Sequence, residues 1–223
     1  MTAKKPSARK PRDDAALRRL VFQAALAHIP FDGFSDRTLE RAREDAGVTK
    51  AELPRLFPHG GLSLVEEFST WADDEMEAAL KKQKLADMKI RARIKAAVMA
   101  RLDVLRPHKD SARRAAAFLA LPPNAPTAAK LLYRTVDRMW RLAGDTSTDF
   151  NFYTKRGILA GVWSATLVRW FNDNGKSESA TKEFLDARIE NVMQFEKLKA
   201  QLRERAKDLP SLSDILGRFS ARS

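Results

Sequence analysis

The chain has 223 residues, of which 44% are hydrophobic and 31% are charged, proportions that suit a globular protein with a buried core. It contains no cysteine, which excludes disulfides, thiolate nucleophiles and thiolate metal sites. The three histidines are scattered singly, so we expect no metal and no cofactor. The net charge of +12 favours partners that carry phosphate, either nucleic acid or an anionic membrane surface.

The positive charge is unevenly distributed along the chain. Residues 1–12 carry five basic side chains and no acidic one, and residues 81–114 carry twelve basic side chains against three acidic ones. Residues 35–61 carry five of each and are neutral. No apolar run approaches the about 20 residues that span a bilayer. Any binding to phosphate is therefore expected outside residues 35–61.

Helical spacing of apolar residues, without any convincing alternating strand, predicts an all-α protein. Asp13 or Asp14 begins a first helix, and Pro30 is expected to end it. Ser35 caps a second helix, and Gly47 supplies the turn after it. The chain thus begins with short helices.

Two further N-termini are predicted from capping boxes. Thr49 and Glu52 have the spacing for a third short helix, and Ser63 and Glu66 for a fourth that runs toward Leu80. Each pair would satisfy backbone N–H groups that have no partner within the helix.

Longer helices are predicted at about 87–106, 111–121, 151–172 and 177–205. A further helix lies between 121 and 151 and ends at Gly144. In the helix at 87–106 the lysines and arginines face outward, and the apolar residues that face inward are Ile94, Val98, Leu102 and Leu105. The helix at 151–172 is apolar nearly all round, which predicts a buried centre. The expected organisation is a disordered basic tail (1–12), a helix-turn-helix-like head (13–62), a helical body for ligand binding and dimerisation (63–205) and a C-terminal amphipathic helix (206–219).

Residues 35–61 resemble the head of TetR-type regulators, because the Ala-Gly-Val-Thr turn and the Leu-Phe-Pro exit both match. In such a head the second short helix enters a major groove. This segment has no net positive charge, however, and Glu52 and Pro54 stand in the helix that would read the bases. We therefore favour a helix-turn-helix kept as a scaffold. A TetR-like transcriptional regulator with a lipophilic effector is the alternative.

The run from Asp145 to Arg156 (DTSTDFNFYTKR), followed by Gly-Ile-Leu-Ala, carries a second resemblance. It looks like the signature of the accessory proteins of ubiquinone (coenzyme Q) biosynthesis, the Coq-nine lipid-binding family. The resemblance extends over roughly residues 14–195 and includes Leu-Phe-Pro-His-Gly in the head, Trp-Arg-Leu-Ala-Gly before the run and Phe-Leu-Asp-Ala-Arg-Ile after it. The family usually has Trp where this chain has Phe152.

The resemblance implies a TetR-like fold, a lipid-binding protein and no catalysis. It implies binding of an isoprenoid quinone or a phospholipid in the body, and a C-terminal amphipathic helix that lies on the membrane. It also implies presentation of a quinone intermediate to the di-iron demethoxyubiquinone hydroxylase. We expect a cytoplasmic protein that is peripheral on the inner membrane, on the mitochondrial matrix face in a eukaryote. No specific nucleic acid partner is expected.

A partner surface is predicted at the entrance of the helix at 151–172. Acidic, aromatic and basic side chains stand together there, a composition typical of interface hot spots; they are Asp149, Phe152, Tyr153 and Arg156. The alternative is that Asp145, Thr146 and Asp149 only cap the helix, while Phe150 and Tyr153 join the core.

Apolar side chains on two helices are the candidates for a lipid pocket. They are Leu132, Val136, Met139 and Trp140 on one helix and Leu159, Val162, Trp163, Thr166 and Trp170 on the next. The alternative is a packed core. TetR-type bodies pair through their last two long helices, so we expect a homodimer through 151–172 and 177–205.

The C-terminal segment has apolar side chains at helical intervals after Asp208, namely Leu209, Leu212, Ile215, Leu216 and Phe219. Each contributes roughly 1.5–3 kcal/mol if it is fully buried in a membrane interface. The alternative is that the segment folds back on the protein. The sequence has no Glu-x-x-His pair, glycine-rich phosphate loop or Gly-x-Ser-x-Gly motif, so we expect no enzyme. A structural dimer without ligand is a further alternative.

Overall fold

The computed structural model describes residues 13–146, 150–175 and 177–207, and these are helical apart from turns and short connections. The helices are α1 (Asp14–Asp32), α2 (Asp36–Asp45), α3 (Leu53–Leu56), α4 (Gly61–Leu80), α5 (Ile90–Leu105), α6 (Lys109–Leu119), α7 (Ala125–Leu142), α8 (Phe150–Phe171) and α9 (Ser179–Lys207). One-turn 3₁₀ segments join α4 to α5, α5 to α6 and α6 to α7. The all-α fold class is confirmed.

Several predictions fall outside this description. They concern the tail at 1–12, Asp149, and the apolar residues of the C-terminal amphipathic helix, Leu209, Leu212, Ile215, Leu216 and Phe219. They stay predictions, and so do the domain boundaries.

The first helix does not end at Pro30, as the sequence predicted, but continues to Asp32. A proline inside a helix loses one hydrogen bond to the preceding turn. Here Ile29 is buried, and its carbonyl accepts the N–H of Gly33 at 2.9 Å. The helix ends at Gly33, whose φ of +68° takes the chain out of the helical conformation.

The second helix has the predicted cap, since Ser35 Oγ accepts the N–H of Thr38 at 3.2 Å. The Thr49 and Glu52 pair also forms, with the Glu52 carboxylate accepting the N–H of Thr49 at 2.8 Å. The α3 helix nevertheless begins only after Glu52, and it is one turn long. Pro54 consequently falls in the first turn, where no backbone donor is needed.

The predicted box of Ser63 and Glu66 is wrong. The α4 helix begins at Gly61, two residues earlier, so Ser63 lies inside the first turn. Its hydroxyl accepts the N–H of His59 at 3.0 Å and ties the preceding turn to the helix.

The head packs on α4 through aromatic side chains. Phe34 and Phe68 have ring centroids 5.6 Å apart, and Trp71 lies 5.7 Å from Phe68 and 5.8 Å from Phe22 of α1. Such pairs bury large apolar areas and fix the angle between helices. The first helix and the turn that follows it are thereby held against α4.

The α4 helix packs against both α5 and α7. The predicted inward residues of α5 are buried, namely Ile94, Val98, Leu102 and Leu105. The expectation that every arginine of α5 faces outward is wrong for Arg101, which is 6% exposed. Its guanidinium is retained inside because the carboxylate of Asp73 on α4 pairs with it.

The described residues fall into two compact units, one that ends at Trp163 within α8 and one that begins at Ser164. The expectation that α8 is buried nearly all round is wrong. One side of the helix is exposed at intervals of three or four residues, at Tyr153, Gly157, Gly161, Ser164 and Val168. Two glycines and a serine give that side little apolar area to bury.

In the second unit, a polar turn joins α8 to α9. Asp173 accepts the N–H and hydroxyl of Thr181 at 2.9 and 2.7 Å and the N–H of Gly175 at 3.1 Å. The hydrogen bond from the Thr181 side chain lowers the pKa of Asp173 despite its burial. Glu178 accepts the indole N–H of the buried Trp170 at 2.8 Å. Within the described ranges, no helix is long and apolar enough to cross a bilayer.

Candidate functional site

The junction between α7 and α8, which we call the junction motif (residues 145–156), is organised around a buried arginine. Arg156 is 3% exposed and donates to Asp137 Oδ1 at 2.7 Å and to Asp145 Oδ2 at 3.1 Å. It also donates to the carbonyl of Phe152, and its guanidinium lies 3.3 Å from the centroid of that residue's ring. One side chain therefore joins the end of α7 to the first turns of α8.

A second set of contacts strengthens the same junction. Lys155 Nζ pairs with Asp145 at 2.8 Å and lies 5.6 Å from the ring centroid of Trp140. The indole N–H of Trp140 donates to the carbonyl of Lys155 at 3.0 Å. Trp140 of α7 and Lys155 of α8 hold each other, and Asp145 after α7 is held by Lys155 and Arg156, so the described part of the junction motif is a fixed base for the side chains that point outward from it.

The predicted partner residues divide between the inside and the outside of this base. Tyr153 is 68% exposed, and its ring packs edge-on against the half-buried Phe152 at 5.1 Å. Arg156 lies inside, where it positions the motif and is not itself available to a partner. The alternative in which Tyr153 joins the core is wrong.

The predicted lipid-pocket residues are enclosed to different degrees. Leu132 and Trp140 are half-buried, and the other seven are buried, namely Val136, Met139, Leu159, Val162, Trp163, Thr166 and Trp170. Thr166 and Trp170 belong to the second unit and the remaining residues to the first. A packed core and a pocket both require burial, so the lipid pocket stays a prediction.

A group of buried polar side chains, which we call the inner cluster, joins α4, α5 and α7. Asp73 pairs with Arg101 and accepts the Thr135 hydroxyl at 3.1 Å, while Arg134 Nε lies 3.5 Å from its other oxygen. Arg101 also faces the ring of Trp163 on α8, 5.4 Å from its centroid. Burial lowers the pKa of Arg101, and the Asp73 charge opposes this shift.

The chain between α4 and α5, which we call the connector (residues 81–89), is fixed beside the junction motif. Arg93 at the start of α5 donates to the carbonyls of Ala86 and Met88, both at 2.9 Å, and to that of Ala143 at 3.0 Å. Gly144 follows with a φ of +90° and closes α7. The connector and the exposed Tyr153 therefore flank the same end of α7.

Unpaired positive charge is concentrated at the connector. Exposed basic residues without an acidic partner among the residues that the structure describes are Lys82, Lys84 and Lys89 of the connector and Arg91 in the first turn of α5. Ile90 stands among them and is 45% exposed. Basic side chains around an exposed apolar one are typical of surfaces that bind anionic interfaces.

The head, in contrast, pairs its arginines other than Arg19 with its own acidic residues or with those of α4. The pairs are Arg18 with Glu67, Arg37 and Arg41 with Asp32, Arg43 with Glu40 and Glu44, and Arg55 with Asp14. Arg55 is the basic residue of α3, the helix that would enter a major groove. An arginine already held by a carboxylate must give up that pair to contact a phosphate.

Comparisons with known proteins show which sequences and which fold this chain resembles. Residues 125–196 match the sequence profile of the COQ9 family. The ubiquinone biosynthesis protein COQ9, mitochondrial, of Rattus norvegicus is 32% identical over 184 residues, which cover 79% of this chain and 59% of that protein. The protein of the same name from Drosophila melanogaster is 30% identical over 203 residues, which cover 86% of this chain and 61% of that protein.

The chain is thus similar to COQ9 proteins over most of its length. It spans about three fifths of the length of these COQ9 relatives. The COQ9 profile covers α7, α8 and the first part of α9, the segment that contains the junction motif.

A solved structure with a similar fold is a TetR transcriptional regulator from Nitrosomonas europaea ATCC 19718, at a TM-score of 0.63. The likeness covers 80% of this chain and 99% of the regulator, at 16% sequence identity. The predicted TetR-like fold is confirmed.

Sequence reasoning did not find the acidic partners of the two buried arginines. Asp137 and Asp73 were unassigned, and Asp145 was considered only as a cap. A signal was present, because Asp73 and Arg101 both stand on the apolar faces of their helices. A single charge on each of two facing apolar stripes indicates a buried pair.

Proposed function

We propose that the chain is a non-enzymatic accessory protein of ubiquinone biosynthesis that takes a quinone intermediate from a membrane and presents it to the di-iron demethoxyubiquinone hydroxylase. The observation that carries this proposal is the similarity to COQ9 proteins over 79% of the chain. The helical body (63–205) holds an isoprenoid quinone or a phospholipid. The protein acts as a peripheral component of the inner membrane, as a homodimer that pairs through α8 and α9.

Membrane contact in this proposal has two parts. The amphipathic segment at 206–219 supplies apolar side chains, and the connector supplies positive charge beside the exposed Ile90. Each basic residue near an anionic surface contributes about 1 kcal/mol of attraction. The contacts of Arg93 with Ala86, Met88 and Ala143 keep the connector next to the junction motif, so membrane docking brings the partner surface close to the lipid.

Neutralising three connector lysines is expected to weaken membrane binding about a hundredfold, because three basic residues contribute about 3 kcal/mol together. The variant is Lys82→Gln/Lys84→Gln/Lys89→Gln in the full chain. Binding is measured by sedimentation with phosphatidylcholine vesicles that contain phosphatidylglycerol, and pure phosphatidylcholine vesicles are the reference.

The matched control changes the same charge elsewhere on the surface. Arg19, Lys50 and Arg114 are also exposed and have no acidic partner within the described part of the chain. Their triple replacement by Gln should change vesicle binding only a few-fold. Equal losses in the two triple variants would contradict a membrane role for the connector.

Tyr153→Ala is expected to weaken binding to the hydroxylase at least tenfold, because exposed aromatic side chains on a rigid base are the usual energetic centres of interfaces. The free energy of unfolding should change by less than about 0.5 kcal/mol, since the side chain is 68% exposed. Titration calorimetry with the purified hydroxylase and urea denaturation provide the two measurements.

Tyr133 is the matched control for this substitution. It is the same residue type, is 47% exposed and lies on α7. Tyr133→Ala should leave both binding and stability unchanged. Hydroxylase binding that survives Tyr153→Ala would remove the partner surface from the proposal.

The competing function is that of a TetR-like transcriptional regulator with a lipophilic effector, and the fold of the Nitrosomonas protein favours it. The pairing of Arg55 with Asp14 and the neutral charge of residues 35–61 argue against it. Binding to random duplex DNA at physiological salt separates the two functions. Tight DNA binding that collapses in Lys50→Glu/Arg55→Glu would establish the regulator instead.

A further inference from the structure

The inner cluster has more positive than negative charge. Asp73 is fully buried and is the one carboxylate that pairs with both Arg101 and Arg134. Thr135 and Ser69 add hydroxyl groups but no charge, the second accepting from Arg101 Nη2 at 3.3 Å. One guanidinium therefore has no full counter-charge within the cluster.

The acidic residues that follow Asp73 on α4 do not supply that counter-charge. Asp74 and Glu77 both pair with Arg138, one turn further along α7, at 2.7 and 2.5 Å. The hydrogen bonds from Lys81 and Arg138 lower the pKa of Glu77, so its carboxylate stays ionised in this arrangement. Arg138 therefore has two carboxylate partners, whereas Arg134 and Arg101 share the single carboxylate of Asp73.

Three N–H donors of the cluster also lack a hydrogen bond. Arg101 Nε and Arg134 Nη2 are buried and make no hydrogen bond to any described residue, and Arg134 Nε has only its 3.5 Å ion-pair contact with Asp73. Arginine has donors only, and a buried donor without an acceptor is costly. The side chain of Arg134 as a whole is 36% exposed, so the cluster extends from the interior to the surface.

We propose that the inner cluster binds the oxygen acceptor of an amphiphilic ligand, with Arg134 as the binding side chain and Asp73 as the residue that positions it. The phosphate of a lipid headgroup and the carbonyl of a quinone ring both supply such an oxygen. The ligand is amphiphilic because the indole of Trp163, which faces Arg101, makes the surroundings of the cluster apolar on that side. This inference rests on the proposed function and names the polar half of the lipid site.

Arg134→Met tests the site, because methionine keeps much of the side chain's length and apolar volume but removes the charge and the donors. The lipid-free full chain is titrated with phosphatidylglycerol in detergent micelles and, separately, with decylubiquinone. Tryptophan fluorescence reports binding, and thermal unfolding without ligand reports stability. We expect the variant to bind at least one of the probes about tenfold or more weakly, since hydrogen bonds to charged groups are strong.

The unfolding temperature of the ligand-free variant, in contrast, should not fall below that of the wild type. Removing Arg134 leaves Asp73 and Arg101 as a balanced pair, so the variant should be at least as stable as the wild type. The control is Arg138→Met on the same helix, which should destabilise the protein because Asp74 loses its partner and Glu77 keeps only Lys81, and which should bind the probes as the wild type does. Arg134→Gln is a second neutral variant in which the same loss of binding is expected.

The outcomes separate the possible sources of the oxygen. Weaker binding of phosphatidylglycerol alone assigns the cluster to phosphate, and weaker binding of decylubiquinone alone assigns it to the quinone. Unchanged binding of both probes by Arg134→Met and Arg134→Gln contradicts the site while leaving the proposed function intact. A wild-type chain that binds neither probe contradicts both.

Discussion

Arg156→Met is expected to lower the free energy of unfolding by about 3–5 kcal/mol, a large part of the total stability of a domain. The reason is that Asp145, which is itself buried, and Asp137 lose the guanidinium between them, so that carboxylate charge is left inside the protein. The contact with the ring of Phe152 disappears as well. Urea denaturation followed by circular dichroism measures the change.

The control for this substitution shares an acceptor with it. Arg141 pairs with the second oxygen of Asp137 at 2.7 Å, but its side chain is 69% exposed. Arg141→Met should therefore cost less than about 1 kcal/mol. If the two substitutions cost the same, Arg156 is not the centre of the junction motif. The Arg156→Met protein should also bind the hydroxylase poorly, because Tyr153 stands on the turn that Arg156 holds.

Asp73→Asn should be comparably damaging, by about 3–5 kcal/mol. The amide keeps the shape of the side chain and can still accept from Thr135, but it removes the negative charge that faces Arg101 and Arg134. Two guanidinium groups would then share the inner cluster without a counter-ion. Thermal unfolding at neutral pH measures the loss.

The adjacent residue provides the comparison. Asp74 carries the same group one position along α4, but its side chain is 58% exposed and its partner Arg138 keeps a second carboxylate, that of Glu77. Asp74→Asn should change the free energy of unfolding by less than about 1 kcal/mol. A small effect at both positions would mean that the inner cluster is solvated and not a buried site.

The helices could be predicted because their signals are local. Apolar periodicity located the long helices, and Ser35, Gly47 and Gly144 mark ends that the structure keeps. The ends predicted at Pro30 and Ser63 are wrong because a local pattern of a few residues does not include the packing between helices. In the structure α1 continues past Pro30 to Asp32, and α4 begins at Gly61, two residues before Ser63.

The candidate site was only partly visible in the sequence. A composition of acid, aromatic and base drew attention to the junction motif, but it could not tell that Tyr153 is exposed while Arg156 is buried. That difference depends on the register of α8 against Asp137 of α7, and register is set by contacts distant in sequence. The inner cluster could not be predicted because its members come from three different helices, α4, α5 and α7, and share no sequence motif.

The central claim is that this fold binds lipid and not a specific DNA sequence. Its most direct test is the extraction and mass-spectrometric identification of whatever co-purifies with the full chain. We predict an isoprenoid quinone or a phospholipid in amounts close to equimolar with the protein. A preparation that contains no lipid, ignores anionic vesicles and binds a defined operator duplex tightly would contradict the account.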